Sequence, residues 1–531
     1  MRKLAVVLAL SAASAGCFDD PNNPKTWIKK LDDIREQKEA VRQLIKLKDP
    51  AAVGPLIKLY ERTRDTEQLK AIAQFKDPSS VPTLIDSLDY SEDDFDRASV
   101  AATALGEIGD KSAVEPLIKA ASKPLPVKTR ANVVKLEAMK ALAKMKDPRA
   151  VDLLIKIVGT PAEEQDFFLN KSAALALGQF ADPRSVPVLI RGLFMSGAGA
   201  TAGANIFQEC RLALVAIGEP AGDKLVETLK RKNPEVEEDA KKRDFFPGIV
   251  EQKVSILLQD LHSAKTLPGM LEVLKTEDLG LKAGLGKGVS GHQSLILAVG
   301  EVGGPEAVKA LLGILNDPKA PKKLRGASAE ALNLAGDLSA LPSLKKLADV
   351  KFIDPKTKTI DPEMGAVVAA AATAYSRLAD EANATTTWQK MPPDLEETDA
   401  HRVFQAADVR LAVAKECKQD AACYAKVLAV KDNDIFKGET TWIRAEKAAF
   451  TLARLGKPGV DELLKQVGHP DPTARLTIVA GLGRRADAGC AACLEALDKQ
   501  IDKDAGKGAQ LKSLADEMKI ARAKIRNNKA P

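Results

Sequence analysis

Six cysteines and four histidines are the side chains of this 531-residue chain best suited to covalent or metal chemistry. Four cysteines form two close pairs, Cys417-Lys-Gln-Asp-Ala-Ala-Cys423 and Cys490-Ala-Ala-Cys493. Each spacing suits a local disulfide: the first staples a turn between two helices, the second the first turn of a helix. A single zinc site would need all four sulfurs at ~2.3 Å from one centre. The pairs read as about two helix layers apart, and layers stack at ~8–10 Å, so one tetrahedron does not close over both. Cys490 and Cys493 at a helix start also suit thiol–disulfide exchange, since a helix N-terminus stabilises thiolate. No sheet of the kind such enzymes build on is readable around them, and Leu494 in place of His excludes haem attachment through this motif. Cys210 falls in the apolar stretch 206–217 and reads as a buried, inert thiol. His262, His292, His401 and His469 are scattered, never at helical ligand spacing. Disulfides, with no metal or cofactor, are the expected chemistry.

Other motifs are weaker. Gly286-Lys-Gly288-Val-Ser-Gly291 matches G-x-G-x-x-G, but the dinucleotide motif needs a preceding strand and a βαβ unit. The acidic loop Asp89–Asp96 lacks the glycine and terminal glutamate of a calcium-binding helix–loop–helix and reads as a solvated loop. A row of charges is more regular: Lys58, Asp86, Lys119, Lys156 and Arg191 each follow a Leu-Ile pair. Its four basic members, Lys58, Lys119, Lys156 and Arg191, would attract an acidic protein segment or an anionic polymer.

What must position these side chains is a recurring phrase: small and apolar residues ending in Leu-Gly, then Asp-Pro, then Val-x-x-Leu-Ile. Copies begin at Asp49-Pro50, Asp77-Pro78, Asp147-Pro148 and Asp182-Pro183, and Asp110 keeps the frame without proline. These aspartates lie 28, 33, 37 and 35 residues apart. A period in that range marks stacked repeats rather than a closed globule. In 98–108 small residues recur at helical spacing, so one face can approach its neighbours closely. Gly106, Gly178, Gly218 and Gly336 sit where the first helix is expected to stop. Aspartate then caps the second helix through orphan backbone N–H groups, and proline takes its first position.

The phrase resembles the HEAT repeat, in its PBS-lyase HEAT-like variety, from about Trp27 to Asp502. Copies are clean to about residue 230 and degenerate around 295–315, 330–347, 448–467 and 473–497. The resemblance implies an all-α solenoid of about a dozen stacked helix pairs. It also implies that the second helices, and with them the basic ladder, line a concave face. Functionally it implies a protein-interaction scaffold. A bilin-lyase-like enzyme, distinguishable by uptake of a linear tetrapyrrole, is the rival. Binding of peptidoglycan or polysaccharide through the basic face is a third reading. Long inserts after second helices (89–96, 159–170, 196–205, 231–248, 276–292, 350–363, 381–400) would emerge along one edge, where insertions often form a working face.

The chain starts Met1-Arg2-Lys3, then an apolar run to Ala13, then Ser14-Ala15-Gly16-Cys17. That reads as a secretory leader, too short to span a bilayer. Ala15-Gly16-Cys17 resembles a bacterial lipobox, with Ser14 where that family usually carries leucine. The resemblance implies removal of residues 1–16, lipid on Cys17 and a polar tether over 17–26. Ala13-Ser14-Ala15 fits ordinary cleavage and a soluble secreted form instead. Phe18 rather than Asp after the cysteine points to the outer membrane, facing the periplasm. Residues 27–380 then form one arc, 381–400 a linker or hinge, 401–502 a second arc, and 503–531 a cap and tail. In 508–527 an apolar stripe of Leu511, Leu514, Met518, Ala521 and Ile525 faces a basic remainder, as a terminal cap requires. Losing Arg2 and Lys3 takes the net charge from +6 to +4, and aromatic residues make up only 4%. Near balance without stacking aromatics argues against nucleic acid. The expectation is a non-catalytic, lipid-anchored envelope scaffold that binds one or more envelope proteins.

Overall fold

The computed structural model describes residues 20–246, 248–275, 291–354, 356–357, 359–384, 388, 399–429, 435–486, 490–504 and 506–527. Among these, regular structure is helical, and the only β features are isolated bridges. Contacts divide the chain into two units, one ending at Phe180 and the other starting at Ala181. The first unit contains α1 (Pro24–Lys30), α2 (Gln37–Leu47), α3 (Val53–Thr63), α4 (Thr66–Phe75), α5 (Val81–Asp86), α6 (Asp96–Ile108), α7 (Val114–Ser122), α8 (Asn132–Met145), α9 (Val151–Gly159) and α10 (Phe167–Phe180). The second begins with α11 (Val186–Gly192), α12 (Phe207–Ile217), α13 (Gly222–Leu229), α14 (Pro234–Lys242), α15 (Ile249–Leu261), α16 (Leu267–Leu274), α17 (Gly291–Val302), α18 (Pro305–Asn316) and α19 (Lys322–Ala335). It continues through α20 (Leu341–Ala348), α21 (Pro362–Leu378), α22 (Asp399–Cys417), α23 (Ala421–Ala429), α24 (Ile435–Arg454), α25 (Lys457–Lys465), α26 (Pro472–Arg485), α27 (Ala491–Asp504) and α28 (Ala509–Asn527). The fold is an all-α solenoid of stacked helix pairs.

The corners repeat one device. The carboxylates of Asp49, Asp77, Asp110, Asp147 and Asp182 each accept the backbone N–H two residues on, at 2.8–3.2 Å. The caps stand as expected. A single 3-10 turn intervenes, however, and the second helix begins at the valine rather than the proline. The left-handed stop lies one residue before the aspartate, at Lys48, Lys76, Gly109 and Lys146. Gly218 and Gly336 do cap their helices at positive φ. Gly106 and Gly178 do not: they lie inside α6 and α10.

Gly106 has a different task. A Cβ placed on it would stand 2.6 Å from Ala141 Cα of α8, so the two backbones meet with no side chain between them. Gly300 meets Ala331 of α19 in the same way. The first helices therefore pack directly on one another, α4–α6–α8–α10 in one unit and α15–α17–α19–α21 in the other. Second helices lean mainly on the first helix that follows them and touch each other lightly. In both units the close layer is made of first helices and the second helices are splayed; in the second unit, where first helices also meet across the stack, this reverses the expected layering.

In the second unit the curl goes to completion. Helix α28 lies on α26 and α27 and also on α12 and α15, at the start of the same unit. It is therefore not a one-sided cap: Leu514, Ala515, Met518, Ile520, Ala523 and Ile525 are all buried. The linker expected at 381–400 lies largely outside the described residues, and α21 and α22 on either side of it pack on one another. The glycine-rich match at 286–291 lies outside them too, apart from Gly291. Gly106→Ala is expected to lower stability by about 1–3 kcal/mol, because overpacking a close backbone contact forces the helices apart. Urea denaturation checks it, and an unchanged midpoint would mean that the α6–α8 spacing is not set there.

Candidate functional site

The four basic ladder positions lie on second helices, the layer whose members touch each other only lightly. Lys58, Lys119 and Lys156 sit at one register on α3, α7 and α9 and are solvent-exposed, on the splayed layer. Arg191 on α11 is engaged: its guanidinium donates to Asp239 at 2.6 and 3.1 Å. The inserts are pinned rather than free. Tyr90 is buried, donates to the Ala120 carbonyl at 2.9 Å and carries Lys123 against its ring; burial pushes its phenol up to about 12. Asn170 donates to the carbonyls of Ile157, Val158 and Thr160. Asp89 and Asp94 of the acidic loop pair with Lys123 and Arg97.

Both cysteine pairs stand at disulfide geometry, Cys417 with Cys423 and Cys490 with Cys493, each with Cα atoms 5.3 Å apart. Cys417 and Cys493 belong to one apolar core with Leu452, Leu482 and Leu497. The Glu416 carboxylate approaches the first pair, but Arg444 holds it at 2.7 Å. Cys210 is buried, and burial drives its thiol far above the usual range.

The densest chemistry lies where α26 and α28 meet α12, α15, α17 and α19. The Glu301 side chain on α17 is 0% exposed. It accepts from Arg484 Nε at 2.8 Å and from Lys524 Nζ at 2.5 Å. Burial alone would raise its pKa, but Arg484, Lys524 and His262 outweigh that and hold it well below the carboxylate range. Beside it, Arg211 on α12 chelates Asp260 at 2.5 and 3.0 Å and faces Glu517 of α28 at 3.7 Å. A cavity of about 150 Å³ lies between Arg211, Asp260, Arg484, Glu517, Ile520 and Lys524.

Helix ends are capped from afar in the same region. Arg485 donates to the carbonyls of Leu334 and Ala335 at the end of α19, and Asn527 to that of Leu261 at 2.8 Å. Lys447 donates to the carbonyls of Arg377 and Ala379, and Arg454 to that of Leu378, at the C-terminal end of α21. Donors and cations there satisfy orphan carbonyls and oppose the negative dipole end. Burial, helped by Arg454 and Arg410, pushes the Lys447 ammonium down to about 7. Glu446 repeats the Glu301 arrangement, held by Arg377 and Arg410.

Sequence reasoning missed this cluster for a definite reason. Glu301 follows Gly300 as Glu107 follows Gly106, and Glu107 is an ordinary surface residue paired with Lys76 at 2.7 Å. The one available signal was the Arg484-Arg485 pair, standing where other copies of the phrase carry Glu-Ile or Glu-Val.

The HEAT repeats family matches residues 98–165 and 127–196. No curated protein shows significant sequence similarity to the chain. Among solved structures, the complex of CpcE and CpcF of phycocyanin lyase from Nostoc is similar at 19% identity, over 56% of this chain and 94% of that one, with a TM-score of 0.26. Human deoxyhypusine hydroxylase is similar at 16%, over 56% and 96%, TM-score 0.21. Importin beta is similar at 12%, over 96% and 74%, TM-score 0.33.

His262 generates a pH prediction. It ends α15 in the left-handed region, is buried, and faces Glu301, Lys524, Arg485 and Arg484; burial pushes it down to about 4. The unfolded imidazole titrates near ~6.5, so the unfolded chain binds the proton first as pH falls. Stability is expected to drop by at most about 1.4 kcal/mol per pH unit between ~6.5 and ~4. Urea midpoints across that range should fall for the native chain and stay flatter for His262→Asn, a residue that tolerates the left-handed backbone. Parallel curves would remove His262 as the cause.

Proposed function

We propose that this chain is a non-catalytic scaffold that presents HEAT-repeat surfaces to protein partners in a bacterial cell envelope, held at the membrane by lipid on Cys17. Stacked repeats supply an extended surface of fixed spacing, which suits holding another protein better than it suits enclosing a reaction. One observation carries the reading: Phe168 and Leu175 lie two turns apart on one face of α10, 57% and 44% exposed, within the stretch that matches the HEAT family. Large apolar side chains aligned on a helix face suit an interface anchor, because truncating such anchors removes most of the binding energy. The tether rests on Ala15-Gly16-Cys17 and the apolar run before it. The exposed register of Lys58, Lys119 and Lys156 favours a second reading, an anionic envelope polymer on the splayed layer.

In-cell crosslinking of a tagged chain, read by mass spectrometry, separates these. The expected result is one or two dominant proteins crosslinked near α10, with recovery falling about tenfold or more in Phe168→Ala/Leu175→Ala. Cys17→Ser is expected to move the chain from the membrane fraction to the soluble one. Loss of polymer co-sedimentation in Lys119→Glu/Lys156→Glu, with no protein captured by the native chain, would replace the scaffold by the polymer reading. Membrane retention of Cys17→Ser would remove the lipid tether.

A further inference from the structure

The contacts that close the second unit differ in kind from those that build it. Nearly everywhere, a helix packs on its neighbours in the stack, and such interfaces do not depend on what lies further along. The closing contacts join residues far apart: Arg484 and Lys524 reach Glu301 across 183 and 223 residues. Arg485 reaches Leu334 across 151 residues and Asn527 reaches Leu261 across 266. Arg211 faces Glu517 over a still longer span. Removing all of them would leave each neighbouring pair stacked as before.

We propose that α26–α28 form a polar latch that reversibly closes the second unit on α12–α19, giving the unit an open state in which its stacked repeats stay intact. Three observations carry this. The moving side is one block that reaches back beyond the latch, because Leu482 of α26, Leu497 of α27 and Met518, Ala521 and Ile525 of α28 share a single apolar core with Leu463 of α25, Leu452 of α24 and Cys417 of α22. The long-range bonds of the latch are made by groups that water can satisfy: Glu301, Arg484 and Lys524 as ion pairs, Arg211 with Glu517, and the carbonyls capped by Arg485 and Asn527, with Ile520 the buried apolar side chain beside them. Opening exchanges those bonds for hydration, which offsets much of their loss. Separating an apolar core has no such compensation. Packing along the seam is also incomplete: the cavity of about 150 Å³ lies among the latch residues Arg211, Arg484, Glu517 and Lys524, so water has a place to enter.

Lys524 is the variant to make, since its loss leaves Glu301 paired with Arg484. Spin labels at Lys265→Cys, in the exposed turn after α15, and Lys512→Cys, exposed on α28, span the seam. They are introduced in the Cys17→Ser protein, where Cys210 is buried and the other four cysteines are paired. Double electron–electron resonance of this parent should give one dominant short distance. With Lys524→Met, a longer population should grow by about tenfold or more, the effect of losing one charge-assisted hydrogen bond, while helical circular dichroism stays native. Glu301→Gln should move the same distribution further. An unchanged distribution in both natively helical variants would overturn the latch. So would a distance change that appears only together with lost helicity, because the seam would then be part of the core that folds the unit.

Discussion

The close approach of first helices to one another is the constraint from which the rest follows. Where Gly106 meets Ala141 and Gly300 meets Ala331, no side chain separates the backbones. The second helices carry Val, Leu and Ile and stand further apart. A stack tight on one layer and loose on the other must curl toward the tight layer. In the second unit that curl brings α28 back onto α12 and α15. Small residues thus determine which surfaces of that unit become interior.

Closure changes the chemistry of positions that would otherwise be unremarkable. Glu107 and Glu301 occupy the same place in the repeated phrase. The first remains at the surface, where such a pair contributes little. The second loses all access to water and becomes stable as an anion only because Arg484 and Lys524 arrive from the far end of the unit. Breaking one side of a buried pair costs far more than breaking a surface pair, since an uncompensated charge is left behind. The same logic places His262 as a neutral imidazole and Lys447 as a weakened ammonium. The chain's near-neutral charge therefore conceals a strongly organised interior.

The inserts show a smaller version of this effect. From sequence they read as loops along one edge, available for contact. Tyr90 and Asn170 instead turn inward and satisfy carbonyls of the neighbouring repeat. In these two inserts a polar side chain is thus fixed against a second helix. Nothing in an isolated loop distinguishes a tyrosine that points at solvent from one that reaches a carbonyl thirty residues away.

What the sequence determined by itself was everything whose physics is local. The Asp cap, the turn that follows it, the helical period and the two cysteine pairs each depend on residues within one or two turns, and the structure has them. The need to stack was legible too, because a helix pair with one apolar face cannot be stable alone. Gly106 and Gly178 do not stop their helices, because a glycine near a helix end looks the same in sequence whether or not the helix runs past it, and at Gly106 it admits a neighbour. Which layer lies inside, that α28 closes on α12 and α15 rather than capping an end, and that Glu301 is buried were decided only in three dimensions. These depend on small tilts summed over many repeats, and a sum of that kind has no signature in any single stretch of sequence.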